Sequence, residues 1–308
     1  MKWPRRQQLK RDISDRLLRH HQNVRDLPGI ADPAAREALA MQIVASVRRE
    51  EYFQLIQKRG PIDANRADPD LNSFEAELGV VHFLQRNAYD EAAWLVFLMV
   101  HLAKPGDSGW RRLRDIYGML GNGRWDWATV SADPHAFEQW LAANWQAVGG
   151  KFGNHRKYES LEPGKQRAMG PAVVTYVEWV NAAGGHRPLF AGIIRDAGND
   201  PHVIFEAFYK ALPVTGYGRL GRFDWAAMLS RYGFAPAEAG SAFLSAATGP
   251  KGGMRLLFAG DAKAEVKPTT LQQWLDELDT GLQVGMEVLE DSICNWQKKP
   301  TVFEHFKG

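Results

Sequence analysis

The sequence contains very little cysteine: Cys294 is the only one among 308 residues. A single cysteine excludes an intrachain disulfide and a zinc site built from several thiolates. The longest apolar run, AAWLVFLMVHLA, is too short to span a bilayer and predicts a buried helix. The first 25 residues lack the apolar core of a signal peptide. We therefore expect a cytoplasmic protein that does not associate with membranes.

Several common catalytic patterns are also missing. There is no H-E-x-x-H metal motif and no G-x-x-x-x-G-K-[ST] phosphate loop. The stretch GYGRLG has the glycine spacing of a dinucleotide-binding turn, but no strand pattern precedes it and no parallel-sheet pattern surrounds it. The sequence thus shows no requirement for a metal or a cofactor, and it does not predict a dinucleotide-binding fold.

Alternating patterns typical of strands are scarce, whereas helical patterns dominate. Only PAVVTYVEWV is ambiguous, and its neighbours favour a helix. Asp followed by Pro is a good helix start, and it opens the segments DPAAREALAMQIVASVRREEYFQLIQKRG, DPDLNSFEAELGVVHFLQRN and DPHAFEQWLAANWQAVGG. Apolar residues spaced three and four apart predict a C-terminal helix with an acidic side from Leu271 to Trp296. We predict an all-α, multi-helical protein.

Positive charge is concentrated at the N terminus. Residues 1–25 carry eight basic side chains against two acidic ones, although the whole chain is only +2, so the remainder is net acidic. A basic N-terminal helix can attract a polyanion such as nucleic acid, and a solvated helix face is the alternative interpretation. We treat residues 1–44 as a basic helical extension and residues 45–308 as the main helical domain.

The stretch GGKFGNHRKYES, Gly149 to Ser160, follows a predicted helix end with many different polar side chains. Its cations can bind a phosphate or pyrophosphate, with arginine as the bidentate partner; they are Lys151, Arg156 and Lys157. His155 suits proton transfer, because histidine titrates near neutrality, and Glu159 or Tyr158 can orient it. The alternative is a basic surface loop that binds nucleic acid passively.

The stretch ALPVTGYGRLGRFDWAAML resembles a helix-hairpin-helix, whose glycine-flanked turn presents backbone N–H groups to a DNA phosphate. Glycine lets the turn approach the phosphate closely. A similar turn, TGPKGGMRLLFAG, contributes a lysine. The predicted DNA contacts are Gly216, Tyr217, Gly218, Arg219, Arg222 and Lys251. In both places, the alternative is an ordinary connection between helices.

A third polar stretch is GDSGWRRLRDIYGMLGNGRWDW, in which Arg111 and Arg114 lie on one predicted helix. Trp125 follows shortly after this helix. An exposed tryptophan can stack on a nucleic-acid base, whereas a buried one belongs to the core. The sequence leaves both interpretations of Trp125 open.

Together, the stretches RRLRDIYGMLGNGRWDW, GGKFGNHRKYES, GYGRLGRFDW, ATGPKGGMRLLF and EDSICNWQK resemble the alpha-glutamyl/putrescinyl thymine pyrophosphorylases of clade 3. The likeness runs from about Ala45 to the C terminus. It implies a helical relative of helix-hairpin-helix DNA glycosylases, with a cleft between two helical lobes. It also implies a DNA base hypermodification enzyme of bacteriophages or bacteria. In the implied reaction, an amino acid or polyamine displaces pyrophosphate from a pyrophosphorylated 5-hydroxymethyluracil in DNA.

The implied reaction assigns roles to the polar side chains. Pyrophosphate needs cations, for which the lysines and arginine of the Gly149–Ser160 stretch are the first candidates and Arg219 and Arg222 the second. The attacking amine needs a base, His155 or Glu159. A base flipped out of a duplex usually stacks on an aromatic ring, and Tyr158, Tyr217 and Trp125 are the candidates. The remaining predicted substrate contacts are Asn154, Arg111 and Arg114, either arginine being suited to an amino-acid carboxylate.

Two other functions stay open, a base-excision glycosylase and a non-catalytic DNA-binding protein. Glycosylases with this hairpin carry a catalytic Asp beyond it and often a Lys within it. Here the hairpin has arginines, and the stretch GFAPAEAGSAFL beyond it offers only Glu238. The glycosylase is therefore disfavoured. The sequence does not determine the oligomeric state.

Overall fold

The computed structural model describes residues 3–306. Over that range the chain forms fourteen α-helices, several short 3-10 helices and no β-strand, so the predicted all-α class is confirmed. The helices are α1 (Gln7–Asn23), α2 (Pro33–Gln57), α3 (Ala76–Gln85), α4 (Tyr89–Leu102), α5 (Arg111–Tyr117), α6 (Trp127–Ala132), α7 (Pro134–Asn144), α8 (Met169–Ala182), α9 (His186–Ala197), α10 (Pro201–Ala211), α11 (Arg219–Arg231), α12 (Gly249–Ala259), α13 (Pro268–Leu282) and α14 (Met286–Trp296).

The chain divides into two compact units. The terminal unit comprises residues 3–53 together with residues 239–306, and the central unit comprises residues 54–238. The predicted boundary between residues 44 and 45 falls inside α2. None of the described helices is long and apolar enough to cross a membrane.

Helix α4 is the centre of the central unit. It packs with α3, α5, α6, α9 and α11, and every residue from Ala92 to Leu102 is buried. A helix that is apolar on all sides needs neighbours on all sides. The buried helix predicted from AAWLVFLMVHLA is therefore confirmed. The ambiguous stretch PAVVTYVEWV lies in α8, whose Tyr176 ring stacks on Phe97 of α4 with 3.9 Å between ring centroids.

Two acidic residues at the start of α4 hold neighbouring helices in place. The Asp90 carboxylate accepts hydrogen bonds from the backbone N–H and the Nδ1 of His186, both at 2.8 Å, at the first residue of α9. The Glu91 carboxylate accepts from the Tyr117 hydroxyl and, at 2.6 Å, from the backbone N–H of Trp127, the first residue of α6. Burial raises the pKa of Glu91 to about 7, although both hydrogen bonds oppose this rise.

The Asp-Pro patterns gave two correct helix starts and one wrong one. Asp32 accepts from the N–H of Ala34 at 2.8 Å, and Asp133 from that of Ala136 at 3.0 Å, at the starts of α2 and α7. Asp68 does not start a helix, because its carboxylate accepts from the N–H of Asp70 in a turn and pairs with Arg124 at 2.5 Å. Helix α3 begins only at Ala76.

The prediction of one continuous C-terminal helix is also wrong, because α13 and α14 are separate. Gln283 adopts a left-handed conformation with φ 53°, and Gly285 follows with φ 88°. The Asp279 side chain accepts from the N–H groups of Val284 and Gly285 at 3.0 and 3.1 Å. The apolar stripe continues across this break because both helices bury their apolar sides.

In the terminal unit, glycine permits α12 to lie close to α14. A Cβ at Gly253 would lie 2.7 Å from the carbonyl oxygen of Ile293, and one at Gly249 would lie 2.9 Å from the sulfur of Cys294. The glycines of TGPKGGMRLLFAG thus have a packing role. Lys251 lies on this helix and is partly exposed.

Several basic residues in and just after α1 have partners within the terminal unit. Arg25 pairs with Glu277 of α13 at 2.7 Å, and Lys10 pairs with Glu37 of α2. Arg16 donates to the carbonyl oxygen of Leu282 at 2.8 Å, at the end of α13 where a cation is favoured by the helix dipole. Part of the N-terminal positive charge is therefore balanced locally.

Candidate active site

The loop from Gly149 to Ser160 lies in the central unit and is fixed at its beginning by α5. Arg112 donates to the carbonyl oxygens of Gly149 at 3.2 Å and Gly150 at 2.6 Å, and Asp115 accepts from the N–H of Gly149 at 2.8 Å. Gly150 has φ +66°, which favours glycine, and a Cβ at Gly149 would lie 2.4 Å from Nε of Arg111. The structure therefore brings the predicted substrate residue Arg111 to the start of this loop.

The middle of the loop lies on the C-terminal end of α4. The N–H of Gly153 donates to the carbonyl oxygen of Leu102, and Nε of Arg156 donates to that of Val100, both at 2.9 Å. These last carbonyls of the helix lack partners within it, and the helix dipole favours a cation at this end. Arg156 is only 3% exposed. Its guanidinium therefore lies inside the unit and not on its surface.

Arg156 also brings the loop into contact with the start of α11. Its guanidinium carbon lies 4.9 Å from the centroid of the Tyr217 ring, and its Nη2 lies 3.6 Å from Oδ2 of Asp224. Gly221 leaves room for this arrangement, since a Cβ there would lie 2.8 Å from Nη1 of Arg156 and 2.7 Å from Cδ2 of Tyr217. The stretches GGKFGNHRKYES and GYGRLGRFDW therefore meet around one guanidinium group.

Glu159 is the buried carboxyl of the loop, with 3% of its side chain exposed. Burial raises its pKa, and the positive charges of Arg156 and Arg167 oppose the rise. The Arg167 guanidinium lies 3.4 Å from Oε1 of Glu159. Next to Glu159, the N–H of Ser160 donates to the carbonyl oxygen of Arg167 and the N–H of Met169 donates to that of Ser160, both at 2.9 Å. These two bonds close residues 161–167 into a small loop.

The remaining predicted site residues of the stretch are exposed. His155 has 40% of its side chain exposed, and its Nδ1 lies 4.0 Å from Oδ2 of Asp224. Tyr158 is 71% exposed, and Nζ of Lys157 lies 5.0 Å from the centroid of its ring. Lys151 pairs with Asp107 at 2.9 Å, with both side chains mostly exposed. Asn154 is exposed as well.

Buried polar atoms without hydrogen-bond partners lie beneath the loop. Within residues 3–306 they include Nη2 of Arg156, the hydroxyl of Tyr217 and both ring nitrogens of His101. The rings of His101 and Tyr217 stack with 5.6 Å between centroids. Burial and the nearby Arg156 lower the pKa of His101 to about 3, while burial raises that of Tyr217. His101 and Tyr217 are therefore uncharged at neutral pH.

The connection between α10 and α11, together with the first turn of α11, contains the predicted DNA contacts other than Lys251. Gly216 has φ +82°, and Gly218 directly precedes the first residue of α11. Arg219 is 8% exposed and lies over the Phe223 ring at 4.6 Å. Arg222 is partly exposed. The helix-hairpin-helix role of this connection stays a prediction.

Two further predicted residues lie apart from the loop. Arg114 donates to the Asn72 side chain at 3.0 Å. Trp125 is 5% exposed and packs against Phe137 and Trp140, with centroid distances of 5.3 and 5.9 Å. In this arrangement the Trp125 ring is part of the core and not a surface for base stacking.

No sequence pattern distinguishes Asp224, Arg167 or His101 as a candidate site residue. Asp224 and Gly221 lie just beyond the predicted hairpin turn, and Gly221, the third glycine of GYGRLG, indicates close packing. His101 lies in the apolar run of α4, which predicts a buried helix and does not indicate a functional histidine. Among the described residues, no group of three or more His, Cys, Asp or Glu is arranged to hold a metal ion.

The fold and this cluster define an all-α protein with proton-accepting and cationic side chains in one unit. The family model for alpha-glutamyl/putrescinyl thymine pyrophosphorylase clade 3 matches residues 34–308. The chain belongs to this family. Its name indicates an enzyme of DNA hypermodification that acts on modified thymine. No curated protein and no solved structure is significantly similar to the chain.

Proposed function

We propose that the protein is a DNA-modifying transferase that joins an amine to a thymine-derived base. The amine nitrogen bonds to the methylene carbon attached to C5 of a pyrophosphorylated 5-hydroxymethyluracil. The bond from that carbon to the pyrophosphate oxygen breaks, and its electron pair leaves with pyrophosphate. The nitrogen passes a proton to a base on the protein. The observation that carries this proposal is the meeting of the Gly149–Ser160 loop with the start of α11.

Two side chains of the loop suit the proton transfer. His155 is exposed enough to meet a substrate and lies beside the Asp224 carboxylate. Glu159 is buried and has a raised pKa, so its carboxylate is a stronger base than an ordinary glutamate. The exposed histidine is the first candidate, because an amine in solution can reach it without movement of the loop.

The exposed side chains beside His155 suit the charged and aromatic parts of the substrate. Lys157 is exposed, and Lys151 is held only by an exposed ion pair, which a pyrophosphate can replace at little cost. Arg156 contributes its positive charge from beneath the loop. Tyr158 is the one predicted stacking residue that is exposed, so we assign it the contact with the extruded base.

The test is a reaction of DNA carrying the pyrophosphorylated base with candidate amines, among them glutamate and putrescine. Mass spectrometry of the digested nucleosides should show a heavier nucleoside, and pyrophosphate should be released in equal amount. Release of a free base would instead identify a glycosylase. Binding of DNA with no change to its nucleosides would identify a non-catalytic binding protein.

His155→Ala should abolish most of the turnover while DNA affinity is retained. The matched control is His135→Ala, since His135 is an exposed histidine of α7 in the same unit, with 60% of its side chain exposed. Equal turnover in the two variants would remove His155 from the reaction.

A further inference from the structure

Asp224 is the acidic residue that both His155 and Arg156 approach. Its side chain is 27% exposed, and a single oxygen, Oδ2, lies 3.6 Å from Nη2 of Arg156 and 4.0 Å from Nδ1 of His155. It projects from α11, one helical turn after Gly221. A helix holds a carboxylate more rigidly than a loop does.

The guanidinium next to Asp224 is held from three directions. Its Nε donates to the carbonyl oxygen of Val100, its face lies on the Tyr217 ring, and Gly221 borders Nη1. Its Nη2 is buried and has no hydrogen-bond partner among residues 3–306. A buried charged donor without a partner costs free energy, so movement of the Asp224 carboxylate toward Nη2 is favoured.

His155 presents Nδ1 to that fixed negative charge. An imidazole that faces a carboxylate with one nitrogen carries its proton there, and its other nitrogen then holds the lone pair. Both separations are longer than a hydrogen bond. Such contacts are often long in free enzymes and tighten when the substrate binds.

We infer that Asp224 is the positioning residue of His155: it fixes the tautomer protonated at Nδ1 and leaves Nε2 as the proton acceptor. The role of Nε2 as proton acceptor rests on the proposed function, whereas the His155 tautomer is a property of the protein without substrate. In this arrangement, the buried Arg156 guanidinium holds the Asp224 carboxylate in place, which is a role separate from pyrophosphate binding.

The direct test is nitrogen NMR of the full chain labelled in its histidines, recorded near pH 8.5 without DNA. The His155 signals are assigned by their disappearance in His155→Gln. We expect mainly the tautomer protonated at Nδ1, whereas free histidine favours protonation at Nε2. In Asp224→Ala the preference should disappear, and in Asp224→Glu it should persist. The control is Asp196→Asn, an exposed aspartate of α9 that pairs with Arg195.

An Nε2-protonated His155 in the parent protein would overturn the inference, and so would an unchanged spectrum in Asp224→Ala. Circular dichroism and urea unfolding of both Asp224 variants separate loss of the fold from loss of the tautomer. If Asp224→Ala does not fold, Asp224→Glu and the parent spectrum still decide the outcome.

Kinetics provide the second readout. With pyrophosphorylated DNA, Asp224→Ala should lower kcat by about 10- to 100-fold, the usual effect of removing a partner that orients a reacting group, while KM for DNA changes little. A rise in KM alone would assign Asp224 to binding. If the parent protein shows the predicted tautomer but no transfer to any amine, the proposed function fails and the positioning by Asp224 stands.

Discussion

Gly221→Ala is the substitution that most directly probes the contact between the Gly149–Ser160 loop and α11. Its new Cβ would lie under 3.0 Å from Cδ2 of Tyr217 and from Nη1 of Arg156. Neither neighbour can easily move away, because Arg156 donates a hydrogen bond to the Val100 carbonyl and the Tyr217 ring packs against the rings of both Phe97 and His101.

Two effects of opposite sign determine the magnitude. Replacing glycine by alanine within a helix stabilises a protein by up to about 1 kcal/mol. Overpacking a tight site costs about 1–3 kcal/mol. We expect the clash to exceed the gain in helix propensity, with a net loss of about 1–2 kcal/mol in the free energy of unfolding.

Gly192→Ala is the matched control. Gly192 lies within α9, in the same unit, and only the end of the Arg195 side chain, at 3.9 Å, lies within 4 Å of a Cβ there. This substitution should therefore stabilise the protein by up to about 1 kcal/mol. Urea unfolding followed by tryptophan fluorescence compares both variants with the parent under the same conditions.

The reasoning is refuted if Gly221→Ala is as stable as Gly192→Ala. Such a result would mean that the guanidinium and the ring relax at no cost, and that the packing around Arg156 is loose. If Gly221→Ala instead loses stability but keeps the parent's turnover, the contact supports the fold without shaping the site.

Three further predictions concern the buried groups and the exposed loop. Relative to the parent, His101→Phe should gain about 1.4 kcal/mol in free energy of unfolding for each pH unit as pH falls from 6.5 to about 5. The reason is that His101, with its pKa lowered to about 3, takes up its proton only in the unfolded chain over that window; a pH-independent difference in urea unfolding would contradict this. Glu91→Gln should show the opposite pH dependence: its free energy of unfolding should rise relative to the parent's as pH increases from 4.5 to about 7, because the folded parent keeps the Glu91 proton to about pH 7. Urea unfolding at a series of pH values measures this difference. A difference that does not change with pH would mean that Glu91 titrates normally. In fluorescence anisotropy titrations, Lys157→Ala should reduce the magnitude of the slope of log affinity for DNA against log salt concentration by about 0.9, which corresponds to the loss of one phosphate contact. The control is Lys210→Ala, at an exposed lysine of α10. Equal slopes in the two variants would exclude Lys157 from the DNA-binding surface.

Helix positions were predictable where the apolar pattern and a capping residue agreed. Helix α4 is apolar on all sides and buried on all sides, and Asp133 caps α7 as its Asp-Pro pattern predicts. The break at Gln283 was not predictable from the apolar stripe, since two helices that both bury their apolar sides continue the same spacing. The left-handed backbone conformation of Gln283 cannot be recognised from the spacing of apolar residues.

The sequence predicts which stretch carries the candidate site, but it does not predict how deeply the side chains of that stretch are buried. The stretch GGKFGNHRKYES has no periodicity, so the sequence could not show that Arg156 and Glu159 are buried while His155 and Lys157 are exposed. Burial of Arg156 depends on the carbonyl groups at the end of α4, which are backbone atoms and carry no sequence signal. Asp224 was missed because a charged residue on a helix normally indicates a solvated face.

The small loop of residues 161–167 offers a place to alter the protein without disturbing either neighbouring helix. Its ends are tied together at Ser160, and Gly164 at its tip faces open space. Since the cost of closing a loop grows slowly with its length, an inserted peptide or a fluorescent label after Gly164 should be tolerated. Such a label would stand a few residues from Glu159, and a change in its emission on addition of DNA would test whether DNA binds near this loop.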